Sequence, residues 1–168
     1  MVAGIAKSPL EKNMIDSLEP RLLSQGYRLV DVDCRSAATS LVRLFVEPVG
    51  SVNQGEVKGG GTTVEDCAAV SRWVGEWLEG SDWFAGEFDL EVSSPGIDRR
   101  LRLQEDFEAH LSEVIKLKLW QAKESLGKSP RGRLHGVTDA GLSLEVDRRV
   151  VPLVWAEIQQ ANLVWEKR

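Results

Sequence analysis

Only two histidines, His110 and His135, are available for acid–base work or metal ligation, and neither has a cysteine near it. Zinc-ligand spacing is therefore missing. A serine nucleophile needs an exposed elbow and a base. No Gly-x-Ser-x-Gly pattern marks one, and Ser93 and Ser94 lie in turn chemistry. Glu87, Asp89 and Glu91 share one face of an alternating stretch. Paired carboxylates can do acid–base or metal work, but this alternation is the ordinary pattern of a solvated strand face. Gly59, Gly60 and Gly61 precede a helix start at Thr63, a place that favours anions. Lys58 stands ahead of these glycines instead of after them, and Glu65 and Asp66 put negative charge where a phosphate would sit. Neither the Walker nor the Rossmann pattern is present. Cys34 and Cys67 each fall in an apolar periodic pattern and read as buried free thiols. The expectation is no catalytic residue, no metal site and no cofactor.

Recognition chemistry is densest in Leu90–Leu101. There a strand runs into Ser94-Pro95-Gly96 and then into Asp98, Arg99, Arg100 and Arg102. The bland reading is an interdomain linker with a salt bridge. The sharper one is a rigid joint that presents arginines to a partner, since arginine pairs bidentately with carboxylate or phosphate.

The elements that would position this joint follow from periodicity. Ser8, Pro9 and Glu11 form a helix start with a capping box. Leu10, Met14, Leu18 and Leu22 then make one apolar stripe, with Pro20 expected to kink the helix and Gly26 to end it. Tyr27–Cys34 and Leu41–Glu47 read as an antiparallel hairpin, and 48–61 as a flexible loop. Thr63 and Asp66 form a second capping box. Behind them Cys67, Val70, Val74, Trp77 and Leu78 form the apolar face of a second helix. Phe88–Val92 is the cleanest strand, and Val70, Val74, Trp77, Phe88, Leu90 and Val92 are expected to be buried together. Beyond the joint a short helix is expected over Leu103–His110. Five short strands follow: Val114–Trp120, Arg131–Val137, Leu142–Val146, Val150–Val154 and, after a helical turn over Trp155–Ile158, Ala161–Val164. Tight turns between short strands point to a small closed barrel, which leaves no edge exposed. The fold class is α+β: an N-terminal helix-strand-strand-helix-strand domain over 1–94, then a small β-barrel over 95–168.

Hydrophobic residues at 42% and charged residues at 28% are globular proportions. No apolar run approaches the length of a membrane helix, and Met1 to Ser8 lacks the apolar stretch of a secretory signal, so a cytoplasmic location is expected. The net charge of −5 is unevenly spread. Residues 1–92 hold 15 acidic and 8 basic side chains, net −7; residues 93–168 hold 11 and 13, net +2. The front should attract basic proteins and repel nucleic acid, while the back tolerates a nearby phosphate backbone. Equally, both charges would keep the surface soluble.

Leu-Glu-Val-Ser-Ser-Pro-Gly-Ile-Asp-Arg at 90–99 closely resembles a signature of the ribosome maturation factor RimP family. So do Gly-Tyr-Arg-Leu-Val-Asp-Val-Asp at 26–33 and Val-Glu-Asp-Cys-Ala-Ala-Val-Ser-Arg at 64–72. Gly-Arg-Leu-His-Gly-Val at 132–137 and Ile-Gln-Gln-Ala-Asn-Leu-Val at 158–164 resemble the family's tail. The resemblance implies an α+β domain followed by an Sm-like, SH3-type barrel. It also implies a non-enzymatic role: transient binding to the immature small ribosomal subunit, aiding rRNA maturation and late protein incorporation. The implied partner is the small-subunit ribosomal protein numbered twelve, with rRNA contact, no membrane and a monomeric chain. Glu91, Ser94, Pro95, Gly96, Asp98, Arg99, Arg100 and Arg102 are the partner-binding candidates. Two departures stand out. Arg100 occupies a position where proline is usual, which predicts a freer joint. The 48–61 loop is longer than usual, which is tolerated entropically. A competing reading is a stand-alone Sm-like RNA-binding regulator. The acidic chain and a back half at only +2 weigh against it.

Overall fold

The structure, a computed structural model, describes residues 3–35, 39–50, 62–84, 86–96 and 99–166. Most of the expected 48–61 loop lies outside these residues. The protein is α+β, and the chain divides into two compact units, Ser8–Pro95 and a second built from the residues up to Lys7 with Gly96–Arg168.

In the first unit, helix α1 (Pro9–Ser24) begins at Ser8, whose hydroxyl accepts from the Glu11 N–H at 3.2 Å. Glu11 returns the bond from the Ser8 N–H at 3.0 Å, and its other oxygen accepts from the Cys34 N–H at 3.0 Å. One carboxylate thus caps the helix and ties it to the sheet. The helix continues through Pro20, which is exposed. Gly26, at φ +84°, follows in the left-handed conformation that ends it. Strands β1 (Tyr27–Arg35) and β2 (Ser40–Pro48) pair antiparallel, with a register shift between Leu29 and Asp31. Helix α2 (Val64–Glu79) carries the chain across to β3 (Phe88–Ser93), which pairs parallel to β2. A helical crossover between neighbouring strands produces that parallel arrangement. The sheet order is β1-β2-β3.

The core of this unit is made by Met14, Leu18, Val32, Leu44, Val74 and their neighbours, all fully buried. Val70, Val74 and Leu78 are the buried stripe of α2. Trp77, Phe88, Leu90 and Val92, expected inside with Val70 and Val74, are only half-buried. The reason is geometric: β3 ends the sheet, and Trp77 lies one position off the inward stripe. Trp77 packs on Trp83 at 5.8 Å between ring centroids, with the Arg21 guanidinium 5.3 Å over its ring.

In the second unit, β4 (Arg100–Leu101) leads to helix α3 (Gln104–Glu108), shorter than the expected Leu103–His110. Strands β5 (Val114–Leu119), β6 (Arg131–Thr138), β7 (Gly141–Val146) and β8 (Arg149–Val154) follow. A 3-10 turn at Trp155–Glu157 then leads into β9 (Ile158–Leu163). Ile115, Leu117 and Leu119 point inward from β5, whereas Trp120, expected to extend that strand, lies beyond it and is exposed. The six strands are antiparallel in the order β4-β9-β5-β6-β7-β8. The expected closed barrel is not seen: among the described residues no pairing joins β8 to β4. Strand β4, two residues long, offers little backbone to close on. The core gathers Phe107, Leu134, Leu144 and Ile158 around Trp155, whose ring lies 5.1 Å from that of Phe107.

The N-terminal segment belongs to this second core. Ile5 is buried in it, its N–H donates to the Arg102 carbonyl at 2.9 Å, and Ala3 accepts from Gln104 at 2.9 Å. Residues read from sequence as the start of the first domain therefore pack with the second. Among the described residues, no helix is long and apolar enough to cross a membrane.

Candidate functional site

The candidate residues fall along one stretch of chain between β3 and α3. Strand β3 holds Glu91 on its exposed face, where Glu91 accepts from Arg43 Nε on β2 at 2.7 Å. Arg43 and Glu91 are register partners, so this is a cross-strand pair across a parallel ladder. Ser94 and Pro95 are half-buried and Gly96 is exposed. Gly96 has φ +71° with nothing near an added Cβ, so backbone conformation and not space selects glycine there. Asp98 lies outside the described residues.

The arginines differ from one another. Arg99 is half-buried, and its carbonyl accepts from the Leu163 N–H at 2.8 Å. Arg100 and Arg102 are each 8% exposed and flank Leu101, at 1%. All three arginines are engaged in interactions. The backbone around them is held firmly. Arg100 pairs with Asn162 on β9, and Asp106 Oδ2 accepts from the N–H groups of Arg102 and Leu103 at 3.1 and 2.9 Å. Burial makes Arg100 and Arg102 parts of the folded interior more than exposed anchors. Arg99 is the arginine of the three with the greater exposure. Along the chain, Glu91, Ser94 and Pro95 belong to the first unit and Gly96, Arg99, Arg100 and Arg102 to the second.

The residues considered for catalysis are dispersed. His110 Nδ1 contacts the Asp106 carbonyl at 2.7 Å, a helix-end contact. His135 is exposed at a bulge of β6, 3.8 Å from Glu145. Among the described residues, no group of three or more His, Cys, Asp or Glu is placed to hold a metal. Burial first, and then the Asp66 carboxylate, push the Cys67 thiol up, which favours the neutral, weakly nucleophilic form. At the start of α2, the Thr63 N–H first, then the Tyr27 and Thr63 hydroxyls, hold the Asp66 carboxyl below its usual range. Tyr27, donating to Asp66 at 2.7 Å, is raised in turn. In the second unit the Val154 N–H, then Lys123, lower Glu157. Each of these carboxylates caps a helix start.

One feature of the first unit escaped the sequence. A groove of about 740 Å3 runs between α2 and β3, lined by Ser71, Gly75 and Glu79 on one wall and Phe88, Asp89 and Leu90 on the other. Gly75 in the middle of a predicted helix was its one signal, since glycine there lowers helix stability and needs a reason.

Comparison with known families gives a match over residues 17–98 to the family described as the RimP N-terminal domain. The match runs from within α1 through β3 to the start of the arginine segment.

Proposed function

Through residues 17–98 the chain belongs to the RimP family, a family of ribosome maturation factors, and we propose that it is a non-enzymatic assembly factor of the small ribosomal subunit. The family match is the observation that carries this reading. On it, the chain binds the immature small subunit and a basic small-subunit ribosomal protein, the one numbered twelve, in the cytoplasm and as a monomer. The six-stranded sheet of the second unit would be the Sm-like, SH3-type part of the molecule, open between β8 and β4. Contact with the partner falls on the segment from Glu91 to Arg102, with Arg99 as its most accessible arginine. The net −7 of residues 1–92 favours a lysine- and arginine-rich protein over naked rRNA.

Co-sedimentation of the full chain with purified immature and mature small subunits tests the proposal. The chain should travel with immature subunits and not with mature ones. Absence from both would end the assembly reading. The alternative, a stand-alone Sm-like RNA-binding regulator, predicts binding to naked rRNA that weakens steeply with salt.

A further inference from the structure

We propose that the open edge of β3, together with the groove beside α2, takes an extended lysine- and arginine-rich segment of a partner protein as an added strand. The maturation-factor reading supplies only the origin of that segment, a ribosomal protein; the groove is argued from its own geometry.

Strand β3 ends the β1-β2-β3 sheet, and among the described residues no strand lies on its other side. Alternate N–H and C=O groups of such a strand point outward and can be met by another chain. The groove lies beside α2 at the start of this strand. Phe88, Asp89 and Leu90, the first three residues of the strand, line it. Thr39, just ahead of Ser40, the β2 register partner of Phe88, lines it too, so the groove sits at the starts of β2 and β3 beside α2. The opposite wall is kept low by Gly75, where an added Cβ would touch only Leu90 Cδ2 at 3.8 Å.

The lining chooses the occupant. Leu78, Phe84, Phe88 and Leu90 supply apolar surface, and the ionisable residues, Glu79, Glu87 and Asp89, are all acidic. Phosphate backbone is repelled by such a wall. A second copy pairing edge to edge through β3 would set Asp89 and Glu91 against their own counterparts, and like charges directly opposite are unfavourable. An extended segment alternating basic and apolar residues matches the acidic rim and the apolar floor, and its backbone completes the strand's hydrogen bonds.

The test uses the full isotopically labelled chain and a synthetic peptide of alternating lysine and valine, about eight residues long to match a strand. A second peptide carries N-methyl groups on alternate amides, which removes the donors of one edge without changing charge. A third replaces lysine by glutamate. The lysine peptide should shift and protect from exchange the Phe88–Ser93 amides in a saturable way. Methylation should weaken it at least about tenfold, and the glutamate peptide should leave those amides unmoved. The double variant Glu87→Lys/Asp89→Lys should lose at least about tenfold in affinity for the lysine peptide. Gly75→Gln, which has room for its Cβ and fills the groove, should do the same without altering charge, and circular dichroism reports whether each variant is folded. Equal binding of the methylated peptide, shifts confined to amides outside β3 and α2, or undiminished binding by folded Gly75→Gln would overturn the proposal. Co-sedimentation with immature subunits stays separate: its failure, with the peptide still captured at β3, would remove the ribosomal origin of the segment and leave the groove's chemistry standing.

Discussion

Leu78 is 2% exposed and Trp77, its neighbour, is half-buried against Trp83 and Arg21. That difference sets the cost of removing each. Leu78→Ala should destabilise the first unit by about 2–5 kcal/mol, as a cavity in a closed core does. Trp77→Ala, which forfeits a partly solvated aromatic pair, should cost about 1–2 kcal/mol. Urea unfolding of the two variants ranks them, and a larger loss for Trp77→Ala would contradict this packing. Asp66 carries a pH signature. Its folded pKa is depressed, so its contribution is in place above its ordinary 3.8 and is lost as pH falls through the lower folded value. Tyr27 works in the opposite direction: with its pKa raised, its contribution is in place below 10.0 and lost as pH rises through the folded value. Replacing Asp66 by Asn should therefore flatten the acid limb of the urea-midpoint profile, and an unchanged acid limb would show that the cap does not titrate with folding. Both capping boxes were legible because Ser8 and Glu11, like Thr63 and Asp66, speak to each other across three residues. The burial of Arg100 and Arg102 was not. Nothing local to Arg99–Arg102 says that both faces of so short a strand will be covered, and a charged side chain is by default expected outside.

Strand alternation carried most of the element reading. Ile115, Leu117 and Leu119 are buried as their spacing predicts, and β1 and β2 pair as the short polar link between them requires. Three features needed tertiary information. Strand β4 is two residues long and exists only because β9 pairs with it. Strand β9 begins at Ile158, earlier than its apolar pattern shows, because Ile158 and Gln160 pair with Leu119 and Lys118 of β5 across a register shift that passes over Gln159. The parallel sense of β3 follows from where α2 lays the chain, which no local pattern records. The turn between β7 and β8 is a place where sequence and backbone disagree. Asp147 and Arg148 have φ +50° and +63°, the two consecutive left-handed residues of a type I′ hairpin. Asp tolerates that region; an arginine does so at a cost, and glycine is the usual second residue. Arg148→Gly should raise the stability of the second unit by about 1 kcal/mol, because the left-handed conformation costs roughly that much for a side-chain-bearing residue. Thermal melting measures the gain, and a fall in midpoint would mean that the Arg148 side chain contributes more than its backbone strain removes.

At the scale of the whole molecule, charge and architecture are segregated in the same sense. Residues 1–92, net −7, make most of the Ser8–Pro95 unit, while residues 93–168, net +2, make most of the other. Composition alone showed the charge division. The return of Ala3 and Ile5 to the second core was invisible to it, because a three-residue apolar segment has no period to read. The segregation separates two kinds of binding defect. Exposed acidic groups act at a distance and mainly set how fast a basic partner arrives. Glu87→Lys should therefore slow association with the proposed basic partner and flatten its dependence on salt. Arg99 acts at contact range. If the partner closes over it, Arg99→Ala should mainly speed dissociation, with a loss of about 2 kcal/mol. If Arg99 instead serves only the fold around β9, the same substitution lowers the melting temperature and leaves affinity for the isolated partner intact. Association and dissociation rates measured by surface-based kinetics at several salt concentrations, beside the melting temperature of the same samples, assign each residue to one role. A stable Arg99→Ala chain with unaltered rates would remove the arginine segment from the interface and leave the β3 edge, where Glu87 and Asp89 line the groove, as the contact to pursue.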